Sequence, residues 1–258
     1  MIPKIIHYCW FGQGEMSYLM KKCIKSWKKY CSDYQIIEWN ENNFDINSSY
    51  WTKEAYEAKK YAFIADYVRL KVLDEYGGIY LDTDQELIKP IDTFLDHKVF
   101  MGFMNVSSIS MGLIGSEKNH PIIHQLFQYY DNRHFIVGGK QDLNPNTEWV
   151  TKILLENGFK QNNNYQILSG DIHIYPQAYF CPTSCVSIED CSSSETVAIH
   201  HWAMTWRTDK AKKDFERVKR HQKKWYRTLE YLRYVPNRIV RKIFGDKNID
   251  ALKRKIKK

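Results

Sequence analysis

No run of apolar residues in this 258-residue chain approaches the roughly 20 needed to cross a bilayer as a helix. The opening Met1-Ile2-Pro3-Lys4 leads into only a short apolar segment, with no small-residue cleavage site behind it, unlike a secretory signal peptide. These two absences set the expectation of a cytoplasmic protein. Its six cysteines (Cys9, Cys23, Cys31, Cys181, Cys185 and Cys191) are then expected as thiols rather than disulfides. Cys181, Cys185 and Cys191 lack a fourth partner at zinc-like spacing, which makes them a weak metal candidate. No internal repeat is visible. No nucleic-acid recognition motif accompanies the basic charge, so a nucleic-acid partner is not expected.

What is present is aromatic and unevenly charged. Aromatic residues make up 15% of the chain, with 18 Tyr and 8 Trp, and hydrophobic residues 43%, enough for one substantial core. Aromatic rings with polar edges suit bases and sugars, although composition alone favours an aromatic-rich core. The formal charge of +8 is an average of two unlike parts. Residues 207–258 hold 20 Lys and Arg against 6 Asp and Glu, a net of +14, whereas residues 1–206 carry a net of −6. The division predicts an acidic body over 1–206 and a basic helical tail over 207–258.

Within the body, residues 4–11 read as a buried first strand closed by Gly12 and Gly14. Residues 17–30 have helical spacing, and residues 34–39 read as a second strand, a parallel α/β unit. The longest helical stretch is expected over residues 52–76, with Ala65, Val68, Val72 and Tyr76 on one stripe and Gly77-Gly78 ending it. A short strand, Ile79 to Leu81, then delivers Asp82 and Asp84. Helices are expected after His120-Pro121 and over residues 147–157, and late strands over residues 175–180 and 197–200.

The chemistry concentrates between Ala65 and Glu86. Asp82 and Asp84, two apart on extended chain leaving a strand, point to one side. Such a pair can hold a divalent cation through hard oxygen ligands and leave coordination positions for phosphate. Alone, Asp-x-Asp is far more often a solvated turn; the preceding Gly-Gly and β-rich tripeptide give it weight. Asp66 and Arg69, three apart, share one face of the preceding helix. They read either as a surface ion pair or as an acid for sugar hydroxyls beside a guanidinium for phosphate. His200-His201 taken alone reads more often as a satisfied structural pair; as a metal ligand it offers one histidine, because one face of an extended segment presents only one of the two. The choice falls on His201, with His200 in reserve. Trp10 on its apolar strand reads as core when taken alone.

Three blocks in order, Ile2 to Gly12, Ala65 to Pro90 and His200 to Trp206, resemble glycosyltransferase family thirty-two, the Asp-x-Asp sugar transferases. That group includes fungal mannosyltransferases and bacterial enzymes of capsular and exopolysaccharide synthesis, and is related to the clostridial glucosylating toxins. The resemblance implies an α/β fold of the GT-A type, a Rossmann-like mixed sheet flanked by helices. It implies retention of anomeric configuration, a nucleotide-sugar donor (UDP-sugar first), a glycan or lipid-linked oligosaccharide acceptor, and Mn²⁺ or Mg²⁺. Residue by residue, Trp10 resembles the aromatic stacked on the base, and Asp66 with Arg69 the pair that grips the donor sugar. Asp82 resembles the ribose and sugar contact, Asp84 the direct metal ligand, His201 the late metal ligand, and Trp206 the aromatic over the leaving phosphate. Family members often carry Asn or a small polar residue where Met111 stands. Retaining transfer on the front face needs no enzymic base, so positioning and charge stabilisation carry the reaction.

Two other readings remain open. A phosphohydrolase of the haloacid dehalogenase type also uses Asp-x-Asp, normally in the first strand and with the first Asp as nucleophile. A non-enzymatic basic binding protein would leave the aspartates merely structural. In the tail, Phe215, Val218, Trp225, Leu229 and Leu232 recur among Lys and Arg. That pattern suits an anionic membrane surface, and hence a peripheral location on the inner face of the cell membrane, or a solvated appendage.

Overall fold

The computed structural model describes residues 1–183 and 190–203, with Lys213, Arg217 and Arg220 beside them. All elements below belong to the compact unit Met1–Cys185 with Glu189–Arg207. The expected tail, Trp206 and Cys185 lie outside the described residues, apart from those three positions.

The chain opens β1 (Ile5–Cys9), α1 (Tyr18–Tyr30), β2 (Gln35–Trp39), and β1 and β2 pair in parallel as their α/β spacing requires. Ser17 caps α1 by accepting from the Met20 N–H. Two helices follow, α2 (Tyr50–Glu57) and α3 (Tyr61–Tyr76), where the sequence predicts one over residues 52–76. Lys59 breaks the run at φ 56°. The Lys60 N–H returns to the Ala55 carbonyl at 2.8 Å and the Lys59 N–H to Tyr56 at 2.9 Å. This is a Schellman ending with lysine where glycine is usual, so no glycine signals it.

Then come β3 (Gly78–Leu81), β4 (Gln85–Leu87), β5 (Val99–Asn105), β6 (Ser108–Ser116) and α4 (Pro121–Gln128). The hairpin β7 (Ile136–Val137) and β8 (Lys140–Gln141) leads to α5 (Asn146–Glu156). The chain continues with β9 (Gln166–Leu168), β10 (Ile172–Tyr175), α6 (Gln177–Phe180) and β11 (Ala198–His200). The strand expected over residues 175–180 is therefore mostly helix. Pro176, with φ near −53°, ends β10 and starts α6.

Seven strands form one mixed sheet in the order β2-β1-β3-β6-β5-β10-β9, and β11 pairs antiparallel with β4 in a separate ribbon. Strand alternation sorts the core into two layers. Tyr80, Met101 and Ile114 face the cluster built with α2 to α5, whereas Ile79, Leu81, Phe100 and Leu113 face the cluster built with α1 and α6. The result is a mixed α/β sheet flanked by helices, the architecture expected from the sequence. Helix α3 is buried around most of its circumference, including Phe63, Ile64, Tyr67, Val68, Leu70, Val72 and Leu73. Of the stripe read from the sequence, Val68 and Val72 are buried, while Tyr76 is 42% exposed. Among the described residues no helix is long and apolar enough to cross a membrane.

Gly77 and Gly78 join α3 to β3 with φ of 68° and 101°. A Cβ on Gly78 would stand 2.7 Å from the Ile5 carbonyl oxygen, which belongs to the paired strand and cannot withdraw. Gly78→Ala is expected to cost about 2–3 kcal/mol, read as a lower urea midpoint at unchanged slope.

Candidate functional site

The site begins with a charge held in the interior. Arg69, midway along α3, is 4% exposed, because α3 packs against both the sheet and its neighbouring helices. Its two terminal nitrogens reach different carboxylates, Nη1 to Asp66 Oδ1 at 3.1 Å and Nη2 to Asp82 Oδ1 at 2.7 Å. The guanidinium carbon lies 4.5 Å above the Tyr80 ring, one strand residue before Leu81. The expected Asp66–Arg69 pair is thus neither on the surface nor isolated. It is half of an Asp66–Arg69–Asp82 bridge that ties helix to loop.

Asp66 is held from a second side. Asn146, buried at the first position of α5, donates from Nδ2 to Asp66 Oδ1 at 2.7 Å. Burial pushes the Asp66 carboxyl up to about 6, Arg69 pulling the other way and Asp82 adding to the rise. Asn146 carried no signal in the sequence: it sits 80 residues from its partner and just after Pro145, where it reads as loop.

The Asp82-Thr83-Asp84 turn between β3 and β4 is fixed mainly by backbone. The Asp82 N–H donates to the Gly112 carbonyl at 2.8 Å, and the Gln85 N–H to the Asp82 carbonyl at 2.9 Å. Asp84 binds the late segment: its carbonyl accepts from the His201 N–H, and its Oδ2 accepts from the Ala203 N–H at 2.7 Å. Its Oδ1 lies 3.3 Å from His200 Nε2.

Asp82, Asp84 and His200 each place one ligand atom within 4.8 Å of the others'. The structure therefore brings His200, and not the preferred His201, to the aspartates. Alternation along β11 is the reason. His200 shares the buried face with Ala198, while His201 turns to the other face. There its Nε2 meets Glu86 Oε2 at 2.7 Å, and Glu86 also pairs with Lys22 of α1 at 2.8 Å.

His200 is tightly set. Its ring stacks on Trp202 at 4.0 Å between centroids and 18° between planes. Trp202 has φ 58° and donates from Nε1 to the Thr183 carbonyl at 2.9 Å. Burial opposes charge on His200, yet the Asp84 carboxylate outweighs it and raises the histidine well above its usual range. Burial also opposes charge on Asp84, but His200 and the Ala203 N–H keep that carboxyl below its usual range.

The donor set fits a hard divalent cation: two carboxylates and one imidazole, the histidine with a buried Nδ1 that has no hydrogen-bond partner among the described residues. Gly112 keeps the space beside them clear, since a Cβ there would stand 2.9 Å from Asp82 Oδ2 and 3.2 Å from His200 Nδ1. Met111, next to it, is buried in the core at 3% exposure.

Trp10 sits just past β1, partly buried against the α1-side cluster, and donates from Nε1 to the Gly14 carbonyl at 2.7 Å. Among the described residues no hydrogen bond or ring contact joins Trp10 to the aspartates. Cys9, Cys23, Cys31 and Cys181 are free, buried thiols. Burial raises the Cys23 thiol to about 12.

Arg69→Met is expected to strip two carboxylates of their shared partner and destabilise the fold by about 3–5 kcal/mol at neutral pH. Asp66 titrates near 6 even with the guanidinium present. Without the guanidinium the native Asp66 carboxyl stays above its unfolded value, so the native state binds the extra proton. Stability is then regained as pH falls below about 6 and lost as pH rises through that range. Urea midpoints at pH 5 and pH 7.5 measure this; a deficit equal at both would contradict the bridge.

Known proteins share this sequence region. Residues 17–101 match the family described as glycosyltransferase sugar-binding region containing DXD motif. An inositol phosphoceramide mannosyltransferase of Schizosaccharomyces pombe is 31% identical over 142 residues, 52% of this chain and 40% of that protein. A mannosyl phosphorylinositol ceramide synthase of Saccharomyces cerevisiae is 27% identical over 150 residues, covering 53% and 37%. The chain thus spans well under half the length of these two fungal relatives. Among solved structures, the PaToxG glycosyltransferase superposes with a TM-score of 0.44 at 18% identity, over 60% of this chain and 69% of that one. The matched stretch, residues 17–101, contains the Asp-x-Asp sequence Asp82-Thr83-Asp84.

Proposed function

We propose that this chain is a metal-dependent glycosyltransferase. It moves a sugar from a nucleotide-sugar to a glycan or lipid-linked acceptor with retention of configuration. The observation that carries the reading is the convergence of Asp82, Asp84 and His200 beside the buried Asp66–Arg69 pair. Mn²⁺ or Mg²⁺ on the first three would neutralise a departing diphosphate as a Lewis acid.

The chain's own residues do the positioning. Asp66 uses Oδ1 for both Arg69 and Asn146, which orients its carboxylate for sugar hydroxyls. Arg69 couples that carboxylate to Asp82, so the sugar and metal ends of the donor site move as one. Trp10 and Trp206 are the proposed aromatic walls for base and leaving phosphate. A phosphohydrolase would use the first aspartate as nucleophile, but Asp82 Oδ1 is tied to Arg69 at 2.7 Å, which disfavours that reading.

A UDP-sugar is the first donor to test. The fungal relatives are named for transferring mannose to inositol phosphoceramide, which favours GDP-mannose as the second and a lipid-borne acceptor. The resemblance to capsular and exopolysaccharide enzymes supports a polysaccharide acceptor. The body over 1–206 holds every proposed catalytic residue, and the tail over 207–258, net +14, is proposed to draw the protein to the inner face of the cell membrane.

The test is hydrolysis and transfer with UDP- and GDP-sugars, with and without Mn²⁺ or Mg²⁺. Asp84→Ala and His200→Ala are each expected to lower turnover by about a hundredfold or more, roughly 2.7 kcal/mol. His201→Ala should lose less than about tenfold, as expected for a residue acting through Glu86. Turnover indifferent to chelation, or an inverted anomer in the first-formed product by NMR, would refute the proposal. The reverse order of the two histidines would return the metal to His201.

A further inference from the structure

Helix α1 carries five lysines, Lys21, Lys22, Lys25, Lys28 and Lys29, and no acidic residue. The whole body over 1–206 has only 18 Lys and Arg and is net acidic, so this one helix concentrates much of its positive charge. All five lysines are exposed. At 3.6 residues per turn they fall within ~120° of the helix circumference, a stripe about 12 Å long. Tyr18 lies inside that stripe and is 85% exposed. The opposite face, Met20, Cys23 and Trp27, is sealed in the core, so the stripe cannot turn inward.

Internal pairing accounts for only part of the charge. Lys21 meets Glu15 at 3.0 Å and Lys22 meets Glu86 at 2.8 Å. Lys29 reaches the Tyr30 hydroxyl at 3.1 Å. Among the described residues, Lys25, Lys28 and Lys29 form no ion pair with a carboxylate. Lys28 and Lys29 also suit the helix C-terminus, a purely structural use of their charge. That use does not explain Lys25, the stripe or the uncovered tyrosine.

We propose that the outer face of α1 is a docking surface for an anionic lipid bilayer. Charge complementarity selects a polyanion, and the details select lipid. A helix face is convex and offers no groove for a nucleic-acid strand. The stripe is all lysine, flexible point charges suited to a diffuse layer of headgroups, with none of the arginine that recognises phosphate bidentately. Tyr18 gives the stripe an aromatic with a polar tip, the residue type favoured at the membrane interface. Because Lys22 joins Glu86, which holds His201, the face is tied to the β4–β11 ribbon that carries His200. Docking α1 would hold the aspartate–histidine cluster at a fixed height above the lipid. This inference stands whether or not the transferase reading does.

The test is co-sedimentation of the full-length protein with phosphatidylcholine vesicles, with and without phosphatidylserine. The variant is Lys25→Glu with Lys28→Glu and Lys29→Glu; the same three positions changed to Gln form a milder second variant. Any contribution of the basic tail is common to all three proteins. Binding to phosphatidylserine vesicles is expected to fall roughly tenfold or more in the Glu variant and less in the Gln variant. The wild-type affinity should also decline with salt. Far-ultraviolet circular dichroism and the urea midpoint report that α1 is intact. Equal vesicle binding by a folded Glu variant would overturn the proposal. A single-stranded oligonucleotide that binds more tightly than vesicles, and is lost in the same variant, would overturn it in favour of nucleic acid.

Discussion

A guanidinium buried between two carboxylates governs this structure. Desolvating Arg69 is costly unless its charge is matched, and matching it requires Asp66 and Asp82 at fixed distances. That requirement locks the register of α3 against the loop after β3. The Tyr80 face beneath the guanidinium adds a third constraint from the central sheet. Helix, strand and loop are thus held by one cation. The loop so placed carries Asp84, and through Asp84 the segment 200–203 is drawn in by backbone hydrogen bonds.

The same constraint divides structural from chemical roles. Asp82 is shared: one oxygen serves Arg69, and the other borders the space that Gly112 keeps open. Asp84 is shared between His200 and the Ala203 N–H. Both carboxylates therefore have architectural partners as well as a place in the cluster. The Asp84 carboxylate favours a proton on His200, and His200 favours the ionised form of Asp84. A metal would have to displace that proton, because only a neutral imidazole coordinates.

Much of this was legible in the sequence where the signal is local. Gly77-Gly78, the β-rich tripeptide and the paired aspartates predict a strand delivering a turn, and β3 does so. The parallel pairing of β1 and β2 follows from the order of the elements, and the mixed helix-flanked sheet is what the family resemblance implies. Legibility failed where the deciding partner is remote. The choice between His200 and His201 depends on which face of β11 is inward, and that is set by pairing with β4 more than 110 residues earlier. Asn146 had no periodicity to betray it. The break at Lys59 was hidden because a lysine occupies a left-handed position that glycine usually marks. Pro176, which separates β10 from α6, is a local break in the sequence.

The arrangement of β11 has a temporal meaning. The Asp66–Arg69–Asp82 bridge lies within 17 consecutive residues and can close early in synthesis. Asn146 arrives 80 residues after Asp66, and His200 is supplied only by the last strand described. A nascent chain therefore holds a bridged but incomplete cluster until residues 198–203 emerge and pair with β4. Fragments that stop short of that strand keep the aspartates but lack the imidazole, so they are built without the means to complete the cluster.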